Sequence, residues 1–170
     1  MPALPWFRVR DYHAPDFRGK DTGAGLALDM WIELPDLQSG RMLLDNRDEG
    51  GCGFCLSTAG AGALVLSLND GQTENRAASD PVLRAGRRHH VVINVDGGPR
   101  IVSFIVDGRF CDGGDERQFG WTRFSPYLRH LNGARVLRVA RQVKALRVYG
   151  RILLTAEAVR HYRFGCSRAP

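Results

Sequence analysis

The chain has 170 residues, of which 44% are apolar and 25% are charged, and its formal net charge is +6. These values are typical of one globular domain, and they exclude wholesale disorder, a collagen-like fibre and a disulfide-dense miniprotein. No apolar run approaches the roughly 18 residues that suggest a membrane span, and the first residues lack the charged and then apolar pattern of a secretory signal.

The charge is distributed unevenly along the chain. Residues 1–116 contain 12 basic and 17 acidic residues, whereas residues 117–170 contain 12 basic residues and one acid, Glu157. A basic segment on a mildly acidic body favours a polyanionic partner, such as an acidic polysaccharide, an anionic membrane or a nucleic acid. An arginine-rich composition gives the same excess without any partner, because 22 of the 24 basic residues are arginine.

Short strands dominate the chain from residue 25 onwards. Leu26, Leu28, Met30, Ile32 and Leu34 alternate with mixed residues, which predicts a strand with one apolar face. Tight turns are predicted at residues 69–71 and 107–108, both of which contain the dipeptide Asp-Gly. Further strands are predicted over residues 41–45, 54–57, 64–68, 89–95, 102–106, 136–139 and 145–149.

One helix is predicted, over residues 156–162, with Thr155 as its N-cap and Glu157 in its first turn. Residues 112–133 are rich in glycine and aromatic residues and predict a long ordered loop with short strand fragments. Residues 1–24 contain three prolines and are predicted to form an edge strand or a tail, followed by one domain over residues 25–170. Many short strands joined by glycine turns predict an all-β, antiparallel two-sheet jelly-roll sandwich with one short C-terminal helix.

Three stretches carry a resemblance to a known family. They are GLALDMWIELPDLQSGRMLLD (residues 25–45), LRAGRRHHVVINVDGGPRIVSFIVDG (83–108) and ALRVYGRILLTAEAVRHYR (145–163). Together they resemble the laminin-G-like jelly-roll domains of the concanavalin A-like lectin/glucanase superfamily, with Arg87 standing where the family often has tryptophan. The resemblance implies a concanavalin A-like fold, which hosts lectins, glycosidases, adhesion modules and spacers.

The segment CDGGDERQFGW (residues 111–121) is similar to a bacterial branch of that family, whose domains are often attached to secreted sugar-processing enzymes. This resemblance implies an extracellular or cell-surface location as part of a larger secreted protein. It also implies an attached catalytic domain as a partner.

The paired carboxylates of a glycosidase are not found in the sequence. Such enzymes need two acids that flank one glycosidic bond, and superfamily members place them on alternate residues of one strand. Asp29 and Glu33 share a strand face but lie about 13 Å apart at ~3.3 Å per residue, beyond the ~5–9.5 Å of either hydrolytic geometry. We therefore predict a protein that is not an enzyme, with a divergent glycoside hydrolase as the least favoured alternative.

The row formed by Asp29, Trp31 and Glu33 is the first candidate sugar site. A tryptophan ring can cover the C–H face of a pyranose, while carboxylates accept hydrogen bonds from its hydroxyl groups. The alternative is that Trp31 fills the second face of the sheet beneath a loop or the terminal helix, since large aromatic side chains are mostly buried.

The aromatic and basic loop at Trp121, Arg123 and Tyr127 is the second candidate. The two rings can stack on a sugar, and the guanidinium group can hold a carboxylate or a sulfate. The alternative is a loop that is pinned over one edge of the sandwich by its own aromatic residues.

The segment 45–49 is the favoured calcium site, with Asp45 and Asp48 as its candidate ligands. Members of the superfamily often bind Ca²⁺ at loop edges, and the ion prefers six to eight oxygen ligands. The spacing does not match an EF-hand loop, and clusters of this composition also form ordinary turns.

The remaining metal-ligating residue types favour structural roles. His89 and His90 are adjacent in a predicted strand and point to opposite faces, so they cannot bind one ion from one face. Cysteines occur at four positions, which permit two disulfides in three connectivities or buried thiols: Cys52, Cys55, Cys111 and Cys166.

The sequence therefore predicts a non-catalytic, lectin-like carbohydrate-binding module that is accessory to a secreted or surface enzyme. A structural or protein-interaction jelly roll without sugar binding is the alternative. The expected ligand is a glycan, and an acidic or sulfated polysaccharide suits the arginines of the last strands. A membrane partner is not expected, and a nucleic acid is disfavoured because no nucleic-acid-binding module matches.

Overall fold

The computed structural model describes residues 25–113, 120–131 and 133–166. The predicted edge strand or tail at residues 1–24 lies outside these ranges, as does part of the predicted long loop. In chain order the strands are β1 (Gly25–Glu33), β2 (Met42–Asp45), β3 (Gly53–Ala59), β4 (Ala63–Asn69), β5 (Glu74–Ala78), β6 (Arg88–Asp96), β7 (Ile101–Val106), β8 (Arg109–Phe110), β9 (Thr122–Arg123), β10 (Arg138–Val139) and β11 (Val143–Tyr149).

These strands form two antiparallel sheets within the described part of the chain. The six-stranded sheet has the order β11-β1-β6-β7-β8, with β9 also paired to β7. The five-stranded sheet has the order β10-β2-β3-β4-β5. The predicted jelly-roll sandwich of two antiparallel sheets is confirmed.

The core lies between the two sheets. Leu28 and Met30 of β1 face it, as do Leu56 of β3, Ile93 of β6 and Phe104 of β7, and all are fully buried. Because side chains alternate between faces along a strand, these apolar positions direct their neighbours towards the outer face of the sheet. For β1 the outward residues are Ala27, Asp29 and Trp31, so the faces follow the predicted alternation.

Helix α1 spans Thr155–Cys166 and packs on the outer face of the six-stranded sheet. It is five residues longer than predicted, one at its start and four at its end, and Thr155 lies inside it rather than at its N-cap. The first intrahelical bond runs from the Ala158 N–H to the Leu154 carbonyl, so Leu154 holds the N-cap position. The Glu157 carboxylate accepts from the Leu154 N–H at 2.9 Å, which is half of a capping box and replaces a hydroxyl cap.

No helix among the described residues is long and apolar enough to cross a membrane.

Candidate functional site

Helix α1 covers the first predicted sugar row. Asp29 is only 2% exposed, and its two oxygens face His90 Nε2 at 2.7 Å and His161 Nδ1 at 2.8 Å. The Trp31 ring lies 4.9 Å from the His90 ring and 6.1 Å from the ring of Tyr162 on the helix. We call these five residues the Asp29 junction, and they leave no open sugar-binding surface at Asp29.

The electrostatics of the junction favour a charged carboxylate. Burial of Asp29 acts to raise its pKa, but hydrogen bonds and charge interactions with His90 and His161 outweigh it, and the pKa is lowered. The Arg147 guanidinium lies 3.7 Å from the same carboxylate. The junction therefore holds the helix on the sheet through an anion that accepts from both elements.

Glu33 lies apart from the junction, at the end of β1. Its side chain is 41% exposed and faces the Arg88 guanidinium at 3.7 Å. The two carboxylates that the sequence placed on one strand face therefore occupy different environments, one buried and one at the surface. They are not positioned as a catalytic acid pair.

A second histidine–aspartate pair lies at the end of the sandwich. The His89 Nε2 atom accepts from the Arg84 backbone N–H at 3.0 Å, so its ring proton is on Nδ1 and points to Asp107 Oδ2 at 2.8 Å. The other Asp107 oxygen accepts from the His90 backbone N–H at 2.9 Å. His89 and His90 thus point to opposite sides of β6, and both bind aspartate.

This pair forms one wall of a cleft of about 600 Å³. Its sides are the β5–β6 loop, the β7–β8 hairpin and Tyr162 of the helix. We call it the arginine cleft, because three exposed arginines line it: Arg84, Arg87 and Arg109. Within the described residues, none of the three forms an ion pair.

The second predicted sugar site lies next to this cleft. A Cβ atom on Gly120 would lie 2.5 Å from the Phe110 ring, so that ring packs against the backbone beside Trp121. Phe110 lines the cleft and is 40% exposed, and Trp121 is 37% exposed. The aromatic loop and the cleft therefore share an edge of the molecule.

The rest of the aromatic loop combines exposed and buried side chains. Arg123 is exposed on β9, and Tyr127 is 73% exposed. Phe124 and Leu128 point the other way and belong to the core. The loop therefore seals an edge of the sandwich with buried side chains and presents aromatic rings at the surface, and its role in sugar binding stays a prediction.

The predicted calcium ligands are engaged by other groups. The Asp45 carboxylate is buried and accepts from the Arg47 guanidinium at 3.0 and 3.1 Å and from the Arg138 guanidinium at 2.9 Å. Asp48 accepts from the Cys52 backbone N–H at 2.9 Å. No group of three or more metal-ligating side chains occurs among the described residues. These residues do not fit a Ca²⁺ site in this arrangement, and calcium dependence stays a prediction.

The cysteines are placed in part. Cys52, Cys55 and Cys111 are buried, and no disulfide joins any two of these three. Burial raises the pKa of the Cys52 and Cys55 thiols, which disfavours a reactive thiolate. The side chain of Cys166 lies outside the described part of the structure.

A family model described as the concanavalin A-like lectin/glucanases superfamily, Laminin_G_3, matches residues 11–159. The chain belongs to this superfamily. No curated protein matches it in sequence. The predicted family is therefore confirmed from a match that covers most of the chain.

Solved structures of the superfamily fold resemble the domain at low sequence identity. The Ruminococcus gnavus IT-sialidase CBM40, bound to alpha2,3 sialyllactose, has a TM-score of 0.60 and 12% identity, covering 81% of this chain and 82% of that one. The botulinum neurotoxin serotype D binding domain has a TM-score of 0.62 and 10% identity, covering 82% of this chain. This chain spans only 37% of that toxin domain. At these identities the likeness shows the fold alone.

The sequence analysis missed the arginine cleft of this superfamily member. Arg84 and Arg87 lie within a stretch that was used only for the family resemblance, and Arg109 and Phe110 directly follow the predicted Asp107-Gly108 turn. The sequence does contain a signal, because Arg84 and Arg87 precede β6 and Arg109 follows β7, and two neighbouring antiparallel strands bring these positions to the same end of the sandwich. The pairing of β6 with β7 had to be known first.

Proposed function

We propose that this domain is a non-catalytic carbohydrate-binding module. The observation that carries the proposal is the arginine cleft together with two exposed aromatic residues. Phe110 lines the cleft, and Trp121 lies beside it. Binding pockets are concave and combine apolar surface with a few polar groups, and 600 Å³ falls in their usual range of about 300–1,000 Å³.

The chemistry of this surface suits recognition without bond cleavage. Aromatic faces stack on the C–H side of a sugar ring, and guanidinium groups donate several hydrogen bonds in a fixed plane. Both oxygens of Asp107 accept hydrogen bonds from His89 and from the His90 backbone, which supports a structural role for this acid. The module therefore binds its ligand and leaves the covalent structure unchanged.

The similar structures support the proposal at the level of fold. One is described as a sialidase CBM40 with bound sialyllactose, and another of the toxin structures is described in terms of two ganglioside molecules. We extend the proposal to an accessory role outside the cell, beside a sugar-processing enzyme. Two observations support this extension. The CBM40 structure comes from a sialidase, and residues 111–121 resemble a bacterial branch of the family whose domains are often attached to secreted enzymes.

The test is binding to a glycan array, with and without EDTA. We expect at least one glycan class to bind, and Trp121→Ala to weaken that binding by about 10-fold through loss of ring stacking, on the order of 1–1.5 kcal/mol. Phe164→Ala is the control, because Phe164 is an exposed aromatic residue on helix α1, 65% exposed against 37% for Trp121, and it does not line the cleft. Binding that is lost in EDTA and restored by added Ca²⁺ would establish the calcium dependence.

Two results would contradict the proposal. Failure to bind any glycan, with capture of a specific protein partner instead, would favour the structural or protein-interaction alternative. Release of reducing sugar from a bound oligosaccharide would show that the domain is an enzyme.

A further inference from the structure

The arginine cleft is built on a loop that is fixed to the body of the domain. Three backbone N–H groups of the β5–β6 loop donate hydrogen bonds that hold it in place. Leu83 donates to the Gly62 carbonyl at 3.0 Å and Gly86 to the Leu34 carbonyl at 2.7 Å. Arg84 donates to the His89 ring at 3.0 Å. The first two partners belong to other segments of the fold. The positions from which Arg84 and Arg87 project are therefore set before any ligand arrives.

The opposite side of the cleft is also held in a defined conformation. Asp107 and Gly108 form the two-residue turn between β7 and β8, with φ values of +50° and +74° that are ordinary for such a turn. The Asp107 carboxylate is fixed by His89 and by the His90 backbone N–H, and Arg109 follows two residues later in the same hairpin.

The charges of the lining do not cancel. Three arginines and two aspartates, Asp80 and Asp107, line the cleft, and both oxygens of Asp107 accept hydrogen bonds from His89 and the His90 backbone. Arginine binds carboxylates and sulfates through two parallel hydrogen bonds, and such charge-assisted bonds are about twice as strong as neutral ones. Phe110 adds an apolar surface within the same cleft.

We propose that the arginine cleft recognises the anionic group of an acidic glycan, a carboxylate or a sulfate, through Arg84, Arg87 and Arg109, with Phe110 against the sugar ring. This inference rests on the proposed function, because it names the ligand class of the same surface. It assigns the specificity to arginines in the acid-rich part of the chain rather than to the basic C-terminal segment.

The experiment measures binding by isothermal titration calorimetry with two pairs of probes. Tetragalacturonic acid is compared with its methyl ester, and a κ-carrageenan tetrasaccharide with its desulfated form. Each pair differs in charge at the same sugar skeleton, so the first pair tests a carboxylate and the second a sulfate. We expect at least one charged probe to bind 10-fold or more tightly than its neutral form, which is about 1.4 kcal/mol.

The variants are Arg84→Gln, Arg87→Gln and Arg109→Gln, with Arg141→Gln as the matched control. Arg141 is also exposed, and it lies outside the cleft. We expect each cleft variant to weaken binding of the charged probe by about 5- to 10-fold and the control to stay within about two-fold. All four side chains are exposed, and equal urea midpoints will verify that each variant folds.

The outcomes separate this inference from the function on which it rests. Equal binding of charged and neutral probes, or cleft variants that bind as the wild type does, would overturn the anionic specificity and leave glycan binding in place. Failure of these probes and of every glycan on the array would overturn both.

Discussion

The buried carboxylate of Asp29 shows how far a single residue can be interpreted from its strand position. Alternation along β1 predicts correctly that Asp29 and Trp31 face away from the core. It does not say whether that outer face is open or covered, because cover comes from a helix about 130 residues later. His161 and Tyr162 supply it, and Gly165 leaves room for the Trp31 ring, since a Cβ atom there would lie 2.2 Å from it.

The first prediction concerns this carboxylate. We expect Asp29→Asn to lower the free energy of unfolding by about 2–4 kcal/mol, because the buried His90 and the half-buried His161 both lose their anionic acceptor. Glu33→Gln on the same strand is the control. Its partly exposed pair with Arg88 is worth less than about 1 kcal/mol. Urea denaturation measures both, and equal effects of the two substitutions would contradict the role assigned to the junction.

At the scale of elements, strands that contain several large apolar residues were predicted, and β5, which has none, was missed. Strand β5 has the sequence ENRAA, in which only Ala77 is buried, and it was not predicted. It pairs with β4 over five residues. The hydrogen bonds to β4 therefore make it a strand, and its own sequence has no strand-like hydrophobic pattern. The helix was predicted too short for a similar reason. Its last turn packs on the Trp31 ring of β1. A contact between residues so far apart in the sequence does not show in the local sequence of the helix.

The second prediction concerns the start of helix α1. Glu157 accepts from the Arg151 guanidinium at 2.7 and 2.8 Å and from the Leu154 N–H, and these bonds lower its pKa from 4.5 to about 2. The stability from this lowered pKa is present above pH 4.5 and is lost as the pH falls through about 2.

We therefore expect Glu157→Gln to destabilise the domain by about 0.5–1 kcal/mol at pH 7, a value reduced for solvent screening of a partly exposed pair. The difference from wild type should shrink towards zero near pH 2. Glu74→Gln is the control, because Glu74 lies on a strand and faces Arg76 at 3.8 Å with both side chains exposed. A difference that persists unchanged at low pH would show that the carboxylate charge is not responsible.

At the scale of the whole molecule, the linear charge pattern did not predict where the unpaired positive charge collects. The arginines of the basic segment are dispersed: Arg138 pairs with Asp45 on the five-stranded sheet, and Arg151 pairs with Glu157 beside the helix. The three arginines of the cleft come from the acid-rich part of the chain instead. Convergence in space depends on loop and hairpin geometry, which a count along the sequence does not contain.

The last prediction concerns the stability of the domain as the pH falls. Among the residues that the structure describes, hydrogen bonds and ion pairs lower the pKa of five carboxyl groups: those of Asp29, Asp36, Asp45, Asp70 and Glu157. Each of these groups binds its proton more readily in the unfolded chain, so it stabilises the fold above its ordinary pKa of about 4. That stabilisation disappears as the pH falls below this value.

Asp96 has the opposite sign. Burial raises its pKa, against one hydrogen bond from the Gly98 N–H, so this group favours the fold at low pH. Five groups outweigh one, and we expect the free energy of unfolding from urea titrations to be flat from pH 7 to about 6 and to decline between about pH 5 and 2. The decline should be shallower in Asp29→Asn, which lacks one titrating carboxylate, and steeper in Asp96→Asn, which lacks the opposing one. A free energy that is unchanged between pH 7 and 3 would mean that these ion pairs are already dispensable at neutral pH.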